Sequence, residues 1–406
     1  MPTRLLNVGS DAASPHVHVQ ETKGKIGIYA ALSYCWGVSE QPTTLKSNLA
    51  SRERQIILKE LPQTVQDAVY VVRSLNIQFL WIDALCIIQD DEVDKRIEIQ
   101  EMGSIYKNAI FTIAASSSGS VMDGFLLKRD ELASVHLPIQ LSGDTFGTVR
   151  LNRWQYADVY DEPLHQRGWT LQEHLLSRRI LLFSKHELLW RCATHQLIPI
   201  RRSHLQYSTF FQGLPVHIFG IPAHPLQSLQ KQQLEIWPKI VLQYSSRKLS
   251  NPADKINALV GIAKELSAYW KDVYLIGLWR KTFIRNLAWS RAPKEKVLSE
   301  RLFSVTPTWS WLSVNYRTQM WPLLCIEDAS LAQQSVLPIV TYGDSLGHAP
   351  NILVNARVLD ASTFIEKAGA KLYFVEMDLS DSNILANDTF VALLGYQKKK
   401  RWYCVV

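Results

Sequence analysis

Two carboxylates are the first candidates for chemistry. Asp83 closes the apolar run Phe79-Leu-Trp-Ile82, and Glu98 sits in the helical pattern that follows. A side chain at the carboxyl end of a buried strand and one on the next helix can reach a single crevice. Carboxylates placed there can stabilise a sugar cation as a glycosidic bond opens, and can hold its hydroxyls. The competing reading makes Asp83 a cap for the Cys86–Gln89 segment and Glu98 an exposed or ion-paired helix residue. Ser33, Trp36 and Gly37 end a second apolar run, Tyr29-Ala-Ala-Leu-Ser-Tyr-Cys-Trp-Gly37. A glycine lets a ligand approach the backbone, and Trp36 could stack on a planar ring; the alternative is a tight turn with a core tryptophan. The block Arg167-Gly-Trp-Thr-Leu-Gln-Glu173 offers Arg167 as a fork for phosphate or carboxylate, or an internal Arg167–Glu173 ion pair that locks a helix to the sheet. Cys86 has apolar neighbours and no histidine tied to it by sequence, so it reads as a buried thiol. The 11 histidines show no HExxH or other ligand spacing, and no metal is expected.

These groups need a scaffold, and the pattern supplies one. Ile26 to Tyr34 reads as a buried strand. Leu61 to Leu75 reads as a helix, with Pro62 near its start and Val65, Ala68, Val69, Val72 and Leu75 at helical spacing. Phe79–Ile82 is a second strand, Glu92–Asn108 a helix with acidic residues around its start, and Ala109–Ala115 a third strand. That alternation argues for a parallel sheet flanked by helices. Gln166–Ser177 looks helical, and Arg179–Ser184 with Glu187–Cys192 looks like a hairpin. Ser203–Gln230 contains no Asp, Glu, Lys or Arg, but three prolines, three histidines and Phe210, Phe211 and Phe219. It reads as a packed wall or as a lid over a pocket. Helices are predicted over Leu229–Tyr244, Pro252–Tyr274 and Tyr274–Trp289. Strands are predicted after Pro307, over Thr308–Ser313, Ile352–Val358, Leu372–Met377, Phe390–Leu394 and Trp402–Val406. The expected fold is an α/β core with a helical middle region and a strand-rich C-terminal part. Its segments are 1–200, an uncharged irregular stretch plus helices over 201–300, and 301–406.

Composition bounds the rest. The chain has 406 residues, 47% hydrophobic and 20% charged, enough for a sizeable core. Net charge is +7, but Lys and Arg are scattered and the densest run is only Lys398–Arg401, so nucleic acid is not an expected partner. Five cysteines, odd in number and widely spaced, fit a reduced, cytoplasmic setting. The N-terminus lacks the apolar core of a signal peptide, and no apolar stretch is long enough to span a bilayer.

Taken together, the blocks resemble the fungal heterokaryon-incompatibility (HET) domain family. They are Ala31-Leu-Ser-Tyr-Cys-Trp-Gly37, Leu61-Pro-Gln-Thr-Val65, Trp81-Ile-Asp-Ala-Leu-Cys-Ile-Ile-Gln89, Glu98 to Ala109, and Arg167 to Glu173 with Leu176-Ser177. Ser246–Leu249, Asp254–Ala263, Gly277-Leu-Trp279 and Trp309–Ser313 extend the likeness over most of the chain. The resemblance implies fungal non-self recognition ending in cell death. It also implies a core laid out like Toll/interleukin-receptor (TIR) or Rossmann-type domains, some of the former cleaving NAD. On that footing Glu98 and Asp83 are the candidate catalytic residues, and Ser33, Trp36, Gly37 and Arg167 the candidate ligand contacts. No cofactor is expected, NAD entering as substrate, and self-association is an expected way to complete the site. Many family members add signalling or repeat modules that this chain is not expected to carry. A second reading is therefore a stand-alone secondary-metabolite enzyme on a HET-like fold, a cyclase of pericyclic type with an apolar cavity walled by Ser203–Gln230. A third is a non-catalytic interaction module.

Overall fold

The structure, a computed structural model, describes residues 1–128 without 12, 39 and 40, then 134–143, 145–152, 155–157, 161–192, 198–200, 205–207, 229–286 and 289–291, and shorter segments between 306 and 405. The chain divides into two compact units, Met1–His224 with Arg247–Glu265, and Pro225–Ser246 with Leu266–Val406.

The first unit is built on a mixed sheet flanked by helices. Its elements are β1 (Arg4–Asn7), β2 (His16–Glu21), β3 (Ala30–Ser33), α1 (Leu49–Arg54), β4 (Ile56–Ile57), α2 (Gln63–Ser74), β5 (Phe79–Trp81), α3 (Asp83–Cys86), α4 (Glu92–Asn108) and β6 (Thr112–Ala114). A hairpin, β7 (Ser134–Ser142) and β8 (Thr145–Asn152), and β9 (Gln155–Ala157) follow. Then come α5 (Trp169–Leu176), β10 (Arg179–Phe183), β11 (Leu188–Cys192), β12 (Ile198–Pro199) and β13 (Leu205–Tyr207). The sheet order is β12-β11-β10-β6-β3-β5-β1-β2-β4. Its centre, β10-β6-β3-β5, is parallel throughout, and antiparallel strands finish both edges. The order reverses at β3: β5 lies on one side and β6, the next parallel strand, on the other. The carboxyl end of β3 is therefore a topological switch point, where open α/β sheets leave a crevice.

Strand alternation decides what each face receives. Leu6, Ala30, Leu32, Leu80 and Ile82 pack with Val65, Ala68, Val69 and Val72 of α2. Leu5, Ala31 and Trp81 pack with Met102, Ile105 and Tyr106 of α4 on the other face. Ser33 is two residues beyond Ala31, and so falls on the α4 face. Helix α4 starts where its acidic residues predict: the Asp91 carboxylate accepts from the Val93 and Asp94 amides at 3.0 and 3.2 Å. A further helix, Asp254–Trp270, supplies residues up to Glu265 to this unit. It crosses α4 where Gly103 and Gly261 meet, and a Cβ on Gly103 would stand 2.9 Å from the Gly261 Cα.

In the second unit, α6 (Leu229–Ser245) and the end of α7 (Asp254–Trp270) precede a hairpin, β14 (Tyr274–Leu275) and β15 (Leu278–Trp279). Trp237, Trp270, Tyr274 and Trp279 pack mostly edge to face beside it. The carbonyl of Gly277 accepts from Trp237 at 2.9 Å and Trp311 at 2.7 Å.

Three sequence expectations are corrected. The first strand is shorter than Ile26–Tyr34, because Ile26 and Ile28 are 102% and 62% exposed and only Ala30–Ser33 is paired. Tyr274–Trp289 is not one helix: Ile276 and Gly277 hold φ of +40° and +94°, which turns the chain into the β14–β15 hairpin. A 3-10 turn and the short α8 (Phe283–Asn286) follow. Within Thr308–Ser313, Trp311–Ser313 is a 3-10 turn rather than a strand. Most of Ser203–Gln230 lies outside the described residues. Among the described residues no helix is long and apolar enough to cross a membrane.

Candidate functional site

The carboxyl ends of β3 and β5 bring four partly or fully exposed residues together over a buried polar floor. Asp83, at the first position of α3, accepts from the Trp36 indole N–H at 2.9 Å and from the Ala84 amide at 2.7 Å. Trp36 is half-buried, Gly37 beside it is exposed, and Asp83 and Arg167 are each partly exposed. The Arg167 guanidinium donates to the Tyr34 carbonyl. Arg167 lies just before α5, and its segment is tied down by the Gly168 amide bonding to the Lys248 carbonyl at 2.7 Å and by Arg247, which donates to the Thr170 hydroxyl at 2.8 Å.

Gly37 has a geometric reason to be glycine. Its φ is +78°, and a Cβ there would stand 2.6 Å from the Ser120 hydroxyl oxygen. The loop after β6 thus closes against the loop after β3, and the Val121 amide bonds to the Trp36 carbonyl at 3.3 Å. Trp36, Gly37 and Asp83 stay partly or fully exposed at the carboxyl ends of β3 and β5, and we take this exposed side as the mouth of the candidate crevice.

Glu173 of α5 forms the floor. It is 6% exposed, and the hydroxyls of Ser33 and Tyr106 face its carboxyl, with Arg167 and Asp83 within electrostatic reach. Tyr106 gives its own hydrogen bond to the Leu32 carbonyl at 3.0 Å. Ser33 is fully buried and forms no hydrogen bond of standard geometry among the described residues. Burial pushes the Glu173 carboxyl up to about 7, against the opposing pull of Ser33 and Arg167. Burial also raises Asp83 above the usual carboxylate range, while Arg167, Tyr34 and Trp36 pull it back. No direct Arg167–Glu173 ion pair forms among the described residues. Beyond the floor, His165 and His174 are buried with ring centroids 4.7 Å apart. Burial, with Arg191 and Arg247 close by, holds both well below the usual imidazole range.

Ser33, Trp36, Gly37, Asp83 and Arg167 therefore share one locality. Glu98 stands elsewhere. It is 2% exposed, and the groups around its carboxyl are Thr3, Arg4, Asp94 and Glu101, none of which acts on Asp83. Its carboxyl too is raised by burial. Cys86 is fully buried against the sheet, and burial pushes its thiol up to about 12. Glu173 is the carboxylate that joins Asp83, a role its sequence block had not been given. Among the described residues no group of three or more His, Cys, Asp or Glu is arranged to hold a metal.

A mixed sheet with a parallel centre, flanked by helices, places the first unit in the α/β class, and sequence comparison narrows it. The family described as Heterokaryon incompatibility protein (HET) matches residues 29–173, which run from the start of β3 to Glu173. The match covers this domain and supports a HET assignment for it. It is similar to "Heterokaryon incompatibility protein 6, OR allele" of Neurospora crassa, with 23% identity over an alignment covering 58% of this chain and 43% of that protein. The chain thus spans less than half the length of that relative. No solved structure matches.

Proposed function

We propose that this protein is a HET-type effector of fungal non-self recognition whose strand-end crevice has a TIR-like layout and cleaves NAD between nicotinamide and ribose. The observation that carries the reading is the convergence of Trp36, Asp83 and Arg167 at the carboxyl ends of β3 and β5. The family match and the Neurospora relative support the biological setting.

The chemistry asks little of the protein beyond placement and charge. The glycosidic C–N bond breaks, its electron pair leaves with nicotinamide, and the ribose carries the positive charge. The Asp83 carboxylate, oriented by the Trp36 N–H and the Ala84 amide, faces that charge. Water then adds to the ribose carbon and gives up a proton. The Trp36 ring offers a stacking surface for a planar base, Gly37 lets the ligand approach the backbone, and Arg167 offers a fork for the diphosphate.

Incubating purified protein with NAD and measuring nicotinamide by chromatography tests the proposal. Self-association should be enforced by a fused oligomeric tag in a parallel sample. Release by the wild type that falls at least about 100-fold in a folded Asp83→Asn variant is the expected result. No release at high protein concentration in either sample, or release unaffected by the substitution, refutes it.

A further inference from the structure

The crevice reading uses the partly exposed Asp83 and leaves a second carboxyl, the buried Glu173, without a task. Its surroundings are specific. From β3 comes the Ser33 hydroxyl, which closes no standard hydrogen bond. From α4 comes the Tyr106 hydroxyl, from the segment before α5 comes Arg167, and from α3 comes Asp83. Glu173 in turn acts on the Cys35 thiol, which burial raises to about 11. Two carboxyls and one guanidinium thus act on one another at the strand ends, and the guanidinium is already committed to the Tyr34 carbonyl.

We propose that Glu173 is a positioning residue for the crevice, and that gaining or losing one proton beneath the strand ends switches Arg167 between answering one carboxylate and answering two. This rests on the crevice being the ligand site. With Glu173 protonated, the Arg167 charge acts on Asp83 alone, and the acid O–H can donate to the waiting Ser33 oxygen. With Glu173 ionised, Ser33 and Tyr106 must turn their hydroxyls toward it, Arg167 is shared, and Asp83 and its Trp36 partner are held less tightly at the mouth. In a water-poor setting such exchanges are strong and cooperative. A buried carboxyl with a distinct set of partners beside a crevice is where proton-linked behaviour is expected. The upward displacement of the Glu173 carboxyl to about 7 places the change near neutrality.

The test needs no substrate. Intrinsic fluorescence is titrated from pH 6 to 8.5 for wild type, Glu173→Gln, and Trp36→Phe as the reporter control. The expected result is a one-proton transition near pH 7 in the wild type. It is lost in Glu173→Gln, and its amplitude is reduced at least twofold in Trp36→Phe. A wild type with no transition in this window, or a transition that survives Glu173→Gln in a folded protein, overturns the inference. Should Glu173→Gln fail to fold, Ser33→Ala replaces it: the midpoint should rise by at least half a pH unit because the ionised carboxyl loses a donor, and an unmoved midpoint overturns the inference. Binding of NAD is measured separately at pH 6 and 8. Absence of binding sinks the NAD reading while the proton-linked transition stands or falls by itself.

Discussion

Replacing Glu173 by glutamine should make the fold more resistant to base. The carboxyl titrates near 4.5 when solvated and is pushed up to about 7 in the structure by burial. The folded state therefore resists ionisation. Below pH 4.5 the group is protonated in both states and costs nothing; the penalty grows as pH rises and is complete above about 7. At about 1.4 kcal/mol for each pH unit of displacement, the full penalty is about 3 kcal/mol. Glutamine keeps the shape and a donor without the charge. Its stability relative to wild type should therefore improve by about 2 to 3 kcal/mol between pH 5 and pH 8.5, which is about 5–10 °C in Tm for a unit of this size. Differential scanning fluorimetry of both proteins at the two pH values reads this directly. Parallel Tm–pH curves, or a glutamine variant that loses ground at high pH, would refute the claim that Glu173 is buried in a water-poor floor.

Acid should act in the opposite sense. His165 and His174 are held neutral by burial, so stability from this pair is present above an ordinary histidine pKa of about 6.5 and is lost as pH falls below it. His174→Gln should soften the loss of Tm between pH 7 and 5.5. Gly37→Ala meets both a φ of +78° and the Ser120 side chain, and should cost roughly 2 kcal/mol in a denaturant titration while weakening any ligand at the mouth. Gly261→Ala, whose Cβ would stand 2.6 Å from the Gln172 amide oxygen and 3.0 Å from the Gly103 Cα, should cost roughly 2 to 3 kcal/mol and leave the pH transition in place. Native Cys35 and Cys86 should resist alkylation at pH 8, since burial raises their thiols to about 11 and about 12, and should react fully only after unfolding.

Much of the first unit was legible because its strands are apolar runs and its helices carry phase. Of the α2 pattern, Val65, Ala68, Val69 and Val72 pack on the sheet, while Leu75, at the cap just past the helix end, is exposed. Asp83 and Trp36 were legible as neighbours because each follows the end of an adjacent strand, and they meet at 2.9 Å. Glu98 was harder to place. Its helix register is readable, but the packing of the N-terminal strand, with Thr3 and Arg4 against it, is a long-range event no local pattern announces. Glu173 was hidden for another reason. Every residue of α5 after Trp169 is buried, so the helix has no polar face from which its orientation could be read. The Gly277 turn had a signal, a glycine within an apolar run, but helical spacing on both sides outweighed it.

The central claim is that the carboxyl ends of β3 and β5 form the ligand crevice, and a crystal structure of the protein soaked with NAD tests it most directly. The account predicts a planar base against Trp36, a ribose within hydrogen-bond distance of Asp83, and Arg167 turned toward the diphosphate. Clear density for the nucleotide elsewhere on the chain, with Trp36 and Asp83 still bonded to each other and untouched by ligand, would contradict it.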